Sequence, residues 1–326
     1  MSNNRWIGVF PASVLPFRED FEIDEPEFRK LLAWLISVKG VTGVVVNGHV
    51  GEIAHLTPEE RVRVSAIAVE HVSGASRVVT GISAEGSREA AQMARDARAV
   101  GVDGLLVMPP HRWLRKGKSR EETLGFFQAI ADAADLPIII HQYPAVTKAT
   151  YDAETLVALG EIPQVVSVKF GTRDFSRYER QVRELRQWAP HITILTCHDE
   201  YIFSSALVGV DGAILGFASF VPELITQLLE AVWRDDWPTA RRLNDKLYLL
   251  KLATYGGEES CLYNHATLKE AMVMIGRLKN ARVRPPVPPL SAAERQRIRD
   301  LLEQAGLLPA GDTRPMSAKG KEMAQI

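Results

Sequence analysis

The chain has 326 residues, 46% hydrophobic and 24% charged, with 39 basic against 40 acidic side chains and a net charge of -1. A chain of this size buries enough surface to fold without metal or disulfide staples, and two cysteines, Cys197 and Cys261, are too few for a disulfide framework or a CxxC metal site. The charge balance argues against a nucleic-acid partner, no segment approaches the ~20 apolar residues of a membrane span, and the first residues, MSNNRWIGVF, lack a signal-peptide pattern; a cytoplasmic enzyme acting on a small molecule is the expectation.

In chain order, the apolar runs that read as strands are 6–10, 41–47, 78–81, 104–108, 137–141, 165–169, 193–196 and 212–215. Each is nearly all apolar, without the alternation of a half-solvated sheet, which is the pattern of parallel strands covered on both faces. Helical spacing fills the intervals. Thr57-Pro58-Glu59-Glu60 places a cap, a proline and two acids at one helix start, and Ser119 and Asp152 open others. Eight strand–helix units in about 230 residues predict an α/β chain with a (β/α)8 TIM barrel, for which ~250 residues is typical. A doubly wound sheet is the alternative, but it would carry a Gly-rich turn after its first strand, and this chain reads Pro11-Ala12-Ser13-Val14-Leu15-Pro16 there. The pentapeptide Val-Gly-Val-Asp-Gly stands at 100–104 and again at 208–212, so strands four and eight begin alike.

The barrel is expected over 1–235, with an additional C-terminal helical extension over 236–309. Helical stretches at 222–255, 260–276 and 291–305 follow the eighth strand, the last two separated by the proline-rich link 284–290. The end, 310–326, mixes Gly, Lys, Pro and Ser with little to bury and reads as a disordered tail.

A barrel of this kind builds its active site at the C-terminal ends of its strands. Those ends hold Asn47-Gly48-His49-Val50-Gly51-Glu52, Pro109-Pro110-His111, His141-Gln142-Tyr143-Pro144, Lys169 and Cys197-His198-Asp199. Lys169 closes Val165-Val166-Ser167-Val168-Lys169, on the same face as Val165 and Ser167 by the period of a strand. A lysine ending a buried apolar strand is costly to keep charged. It is either an amine ready to form a Schiff base with a carbonyl or a strand-end lysine that reaches solvent or a substrate phosphate.

With these motifs in place, the chain resembles the dihydrodipicolinate synthase/N-acetylneuraminate lyase family of class I aldolases over residues 6–306. The family's Gly-Thr-Thr-Gly-Glu loop corresponds to Gly48-His49-Val50-Gly51-Glu52, its Tyr-Asn-x-Pro to His141-Gln142-Tyr143-Pro144, and its closing Gly-x-Asp-Gly-x-Ile to Gly209-Val210-Asp211-Gly212-Ala213-Ile214. Its Schiff-base lysine falls on Lys169, 28 residues beyond His141. The resemblance implies a lyase acting on a small-molecule 2-oxo acid through a Lys169 imine, without organic cofactor or metal, in a homotetramer. It implies binding of the keto-acid carboxylate at Gly48, His49 and Val50, and a floor formed by Ile214.

The sequence also departs from the family. Both loop threonines are replaced, leaving backbone N–H groups for the carboxylate. His141 stands where the family carries its proton-shuttling tyrosine, and Tyr143, two residues on, competes for that role. Imidazole titrates near neutral pH and can both accept and donate the proton that an aldol step requires. Val146 stands where the synthase proper has an arginine for its second substrate, which argues against condensation of pyruvate with aspartate semialdehyde. Aldol cleavage releasing pyruvate and dehydration of a sugar-derived keto acid share the imine and remain open. An aromatic hydratase-aldolase is a further option, with Trp113, Phe170 and Phe217 enlarging an apolar pocket. Two readings from other classes stand beside these: a metal-dependent hydrolase or class II aldolase using His49, His111, His141 and His198 with Glu52 and Asp199, and a barrel that binds pyruvate without turnover.

Overall fold

The computed structural model describes residues 6–72, 74–143, 147–255 and 264–309; Pro144, Val146, Cys261 and the 310–326 tail lie outside them. The elements run β1 (Gly8–Pro11), α1 (Glu25–Ser37), β2 (Gly43–Val46), α2 (Pro58–Val72), β3 (Arg77–Ile82), α3 (Ser87–Val100), β4 (Gly104–Val107), α4 (His111–Lys116), α5 (Arg120–Ala134), β5 (Ile138–Gln142), α6 (Ala153–Leu159), β6 (Val165–Phe170), α7 (Phe175–Trp188), β7 (Thr193–Thr196), α8 (Ile202–Leu207) and β8 (Gly212–Leu215). Four helices follow: α9 (Pro222–Trp233), α10 (Trp237–Tyr255), α11 (Asn264–Met274) and α12 (Ala292–Gln304).

The strands form one parallel sheet in the order β1-β8-β7-β6-β5-β4-β3-β2. Parallel bridges Val9↔Val41 and Ala12↔Val45 join its two ends, and the Ser13 N–H donates to the Val45 carbonyl at 2.9 Å. The sheet therefore closes into the expected TIM barrel. Its strands are apolar on both faces because the inner face fills the barrel and the outer face meets the helices; Ile138, Ile139 and Ile140 are all fully buried.

Small differences from the sequence reading have local causes. Trp6 is not part of β1; its ring stacks on Phe10 at 5.9 Å and fills the space that a Cβ on Gly104 would occupy. The second strand stops at Val46 because Asn47 takes a left-handed backbone, φ 53°. The Asn47 amide holds that turn by donating to the Arg61 carbonyl, the Ser65 hydroxyl and the Thr80 hydroxyl. The repeated pentapeptide is a strand-entry device. Gly101 and Gly209 both turn the chain at positive φ, and the following aspartates, Asp103 and Asp211, each accept a backbone N–H of the neighbouring strand, from Val78 at 2.7 Å and Ile194 at 2.8 Å.

The helical stretch 222–255 is two helices. Asp235 takes φ 58° and Asp236 accepts the Thr239 N–H, which ends α9 and starts α10. The expected start of the next helix, 260–263, lies outside the described residues. Among the described residues no helix is long and apolar enough to cross a membrane.

Candidate active site

Lys169 sits on β6 directly beside His141 of β5 in the strand register. Both are buried, at 8% and 5% exposure. The rim here is tight because Gly171 follows: its N–H donates to the Gln142 carbonyl at 2.7 Å, and a Cβ at this glycine would stand 2.4 Å from that oxygen. Gln142 in turn braces the loop after β5, its amide giving and taking a hydrogen bond with the backbone of Tyr151. Among the described residues no group accepts a hydrogen bond or forms an ion pair with the Lys169 amine. A buried amine without a partner is chemically available.

Tyr143 and His49 complete a cluster around it. The His141 and Tyr143 rings meet edge to face at 4.9 Å, and His49 lies 5.4 Å from His141 and 5.7 Å from Tyr143 between ring centroids. The Tyr143 hydroxyl is 2.8 Å from His49 Nε2. We assign the phenol as donor, because burial raises its pKa above the ordinary tyrosine value. Burial, followed by the charge of Lys169 and then His49 and Arg173, holds His141 well below the usual histidine pKa. His49 is lowered in the same direction by desolvation and by Lys169, although its surface remains exposed at the mouth. The expectation that imidazole titrates near neutrality at position 141 is thereby corrected: the ring is neutral at pH 7, and its Nδ1 is buried without a partner among the described residues.

The 48–51 loop follows β2. Among the described residues, the N–H groups of Gly48, His49, Val50 and Gly51 donate to no acceptor. Val50 is buried and lies where a Cβ on Gly216 would meet it at 3.3 Å, so the loop packs onto the end of β8. Ile214 is buried within β8. The loop is anchored from behind by Glu52, which takes φ 58°. Its Oε1 is 2.5 Å from Lys269 Nζ of α11, with both side chains fully buried, and its Oε2 accepts the Arg284 N–H at 3.0 Å.

The other strand-end candidates are spent elsewhere. His198 is a satisfied core histidine: Nε2 meets the Thr172 carbonyl at 2.7 Å, Nδ1 the Thr196 hydroxyl at 3.1 Å, and the ring stacks on Tyr201 at 4.4 Å. Asp199 accepts the Tyr255 hydroxyl at 2.6 Å and the Phe217 N–H at 3.1 Å, tying β7 to the end of β8. His111 is exposed and pairs with Glu85. Among the described residues no three His, Cys, Asp or Glu side chains are grouped to hold a metal ion. Trp113, Phe170 and Phe217 are fully buried and pack edge-on against Phe126, Tyr178 and Tyr255, so they do not enlarge a pocket as the aromatic-substrate reading expected. Missed in the sequence were Arg173 and Lys269; both look like ordinary surface cations in a helical or loop pattern.

A closed barrel with a buried amine and an acid–base cluster at its C-terminal rim is a TIM-barrel enzyme. The Dihydrodipicolinate synthetase family model matches residues 5–305, and the chain belongs to that family of lyases. It is 32% identical over 303 residues to 4-hydroxy-tetrahydrodipicolinate synthase of Nitratidesulfovibrio vulgaris (strain DSM 19637 / Miyazaki F), covering 92% of this chain and 99% of the relative. It is 28% identical over 301 residues to YagE of Escherichia coli K12, whose naming as a 2-dehydro-3-deoxy-D-gluconate aldolase is provisional, covering 92% and 97%. The crystal structure of YagE in complex with pyruvate superimposes with a TM-score of 0.85 over 93% of this chain and 99% of that one.

Proposed function

We propose that the chain acts on a 2-oxo acid through an imine at Lys169. The observation that carries this reading is the buried, unpartnered amine set in register with His141 at the strand ends. Lys169 Nζ adds to the keto carbon, and loss of water leaves a protonated imine, which accepts the electron pair released by C–C cleavage or by proton loss before a β-hydroxyl departs. His141 and Tyr143 move the protons of these steps, and His49 orients the Tyr143 hydroxyl through the hydrogen bond between them. The free N–H groups at Gly48, His49 and Val50 receive the keto-acid carboxylate, and Ile214 forms the floor. No organic cofactor or metal enters the scheme. The pyruvate complex of YagE supports a small 2-oxo acid as substrate. The resemblance that supports this reading carries a homotetrameric assembly with it, and the cytoplasmic location expected from the sequence pattern stands beside it as part of the proposal.

A second reading, the synthase reaction itself, is favoured by the 32% identity to the N. vulgaris synthase. Turnover of 4-hydroxy-2-oxo acids, 3-deoxy-2-oxo sugar acids and pyruvate with aspartate semialdehyde separates the two. We expect consumption of one of the first two classes, abolished in Lys169→Ala and in Lys169→Arg, whose guanidinium stays protonated, and unchanged by EDTA. Efficient condensation with aspartate semialdehyde would favour the synthase, and activity surviving in Lys169→Ala would overturn the imine.

A further inference from the structure

Two arginines are spent at the barrel rim, in different ways. Arg173 pairs within the rim with Glu200, at 2.8 Å. Arg284 reaches the rim from the proline-rich link between α11 and α12, 232 residues from Glu52 along the chain. Its side chain is 13% exposed. Nη1 donates to the His55 carbonyl at 2.8 Å and to Glu60 Oε2 at 2.7 Å. Nε and Nη2 donate to the Phe21 carbonyl at 3.0 and 2.9 Å, and Nη2 also donates to Glu60 Oε1. All five donors of the guanidinium are thereby used, and the Phe17 ring lies 4.7 Å beneath it. One side chain joins the segment after β1, the segment leading out of the 48–51 loop, and the start of α2.

The backbone that Arg284 holds is strained. Among the described residues five non-glycine positions take positive φ, and Arg284 holds two of them. Phe21, at 64°, is held through its carbonyl, and Glu52, at 58°, through the Arg284 N–H that its Oε2 accepts at 3.0 Å. Asn47, at 53°, opens the same loop that Glu52 closes. A left-handed turn at a bulky residue persists only where its surroundings over-determine it. The loop N–H groups, which donate to no acceptor among the described residues, keep their present directions only while both turns persist. We propose that Arg284 is a positioning residue for the reaction: it clamps the exit of the 48–51 loop to the segment after β1, and so sets the affinity of the site for the keto-acid carboxylate without touching the substrate. This rests on the 2-oxo acid reading above. A carboxylate contact is made alike in the bound substrate and the transition state, so its loss is read in the half-saturating concentration rather than in the limiting rate.

The test follows borohydride trapping of pyruvate on Lys169 against pyruvate concentration, with the purified full chain, which gives a half-saturating concentration and a limiting rate. Arg284→Ala should raise the half-saturating concentration by about tenfold or more, the worth of hydrogen bonds from a charged group, and leave the limiting rate nearly unchanged. Arg284→Lys keeps a charge beside Glu60 but lacks the planar fork that spans the two carbonyls, and should show a smaller rise in the same direction. Arg297→Ala is the control for a merely structural loss. It removes the bond from Arg297 Nη1 to the Leu252 carbonyl, which ties α12 to α10 in the same extension. It should lower the urea midpoint while the half-saturating concentration stays at the parent value. An unchanged half-saturating concentration in both Arg284 variants, an equal rise in Arg297→Ala, or a fall confined to the limiting rate would overturn the proposal. If Arg284→Ala does not fold, Arg284→Lys set against Arg297→Ala decides by the same criteria. A parent protein that traps no pyruvate at any concentration would overturn the imine reading itself, a different result from trapping that is insensitive to Arg284.

Discussion

The buried pair between Glu52 and Lys269 anchors the 48–51 loop, which we propose receives the substrate, and removing one partner should expose how much the loop depends on it. In Lys269→Met the linear apolar side chain keeps most of the volume, while the ammonium that stood 2.5 Å from Glu52 Oε1 is lost. Burial already pushes the Lys269 pKa down to about 8 against the pull of Glu52, so the site is poorly solvated. Breaking a buried ion pair from one side typically costs about 3–5 kcal/mol. Glu52 keeps the Arg284 N–H at 3.0 Å and His55 Nδ1 at 3.5 Å, which argues for the lower end, about 3 kcal/mol. With a urea m-value of roughly 3 kcal/mol/M, the unfolding midpoint should fall by about 1 M. The double variant Glu52→Gln/Lys269→Met leaves no uncompensated charge and should recover most of that loss. Because the loop carries Gly48 and Val50, KM for the 2-oxo acid should rise in the single variant and partly return in the double. Equilibrium urea unfolding followed by circular dichroism gives the midpoints. A single variant as stable as the parent, or a double variant no better than the single, would refute the account of Glu52 as a buried carboxylate held by its partner.

Further outcomes follow from the same geometry. Tyr143→Phe and His141→Phe should each lower kcat by roughly 10²–10⁴ in steady-state assays, the usual worth of a positioned proton-transfer group; a near-silent variant removes that residue from the proton path. Burial lowers the pKa of His141 and His198 in the folded state, so below the unfolded value of ~6.5 the unfolded chain binds more protons and stability falls as pH falls. Two such groups give a limiting slope of about 2.7 kcal/mol per pH unit until the folded pKa values are reached. Urea midpoints between pH 7 and 5 measure it, and a midpoint that rises on acidification contradicts these assignments.

Much of the barrel is legible in the sequence because it rests on local signals. Apolar runs bounded by caps and glycines locate all eight strands, and the repeated Val-Gly-Val-Asp-Gly marks the shared entry to β4 and β8. The strand-end rule then brings Lys169, His141, Tyr143 and His49 onto one list. What escapes is long-range satisfaction. Glu52 and Lys269 are 217 residues apart, and a lysine inside a helical pattern gives no sign of being fully buried. Arg173 and Glu200 lie in separate loops, each beside residues that read as polar surface. His198 looks as catalytic as His141 until the Thr172 carbonyl and the Thr196 hydroxyl are seen to occupy its two nitrogens. The neutral state of His141 likewise depends on burial and on Lys169 across the β5–β6 pairing, neither of which spacing along the chain reveals.

The central claim is that Lys169 forms an imine with a 2-oxo acid, and chemical trapping tests it most directly. Incubation with pyruvate and borohydride, followed by proteolysis and peptide mass mapping, should place a reduced pyruvate adduct on the peptide carrying Lys169, with loss of activity in proportion to labelling. Lys169→Ala should show no adduct. Labelling that persists in Lys169→Ala, or an active parent protein that pyruvate and borohydride neither label nor inactivate, would contradict the account.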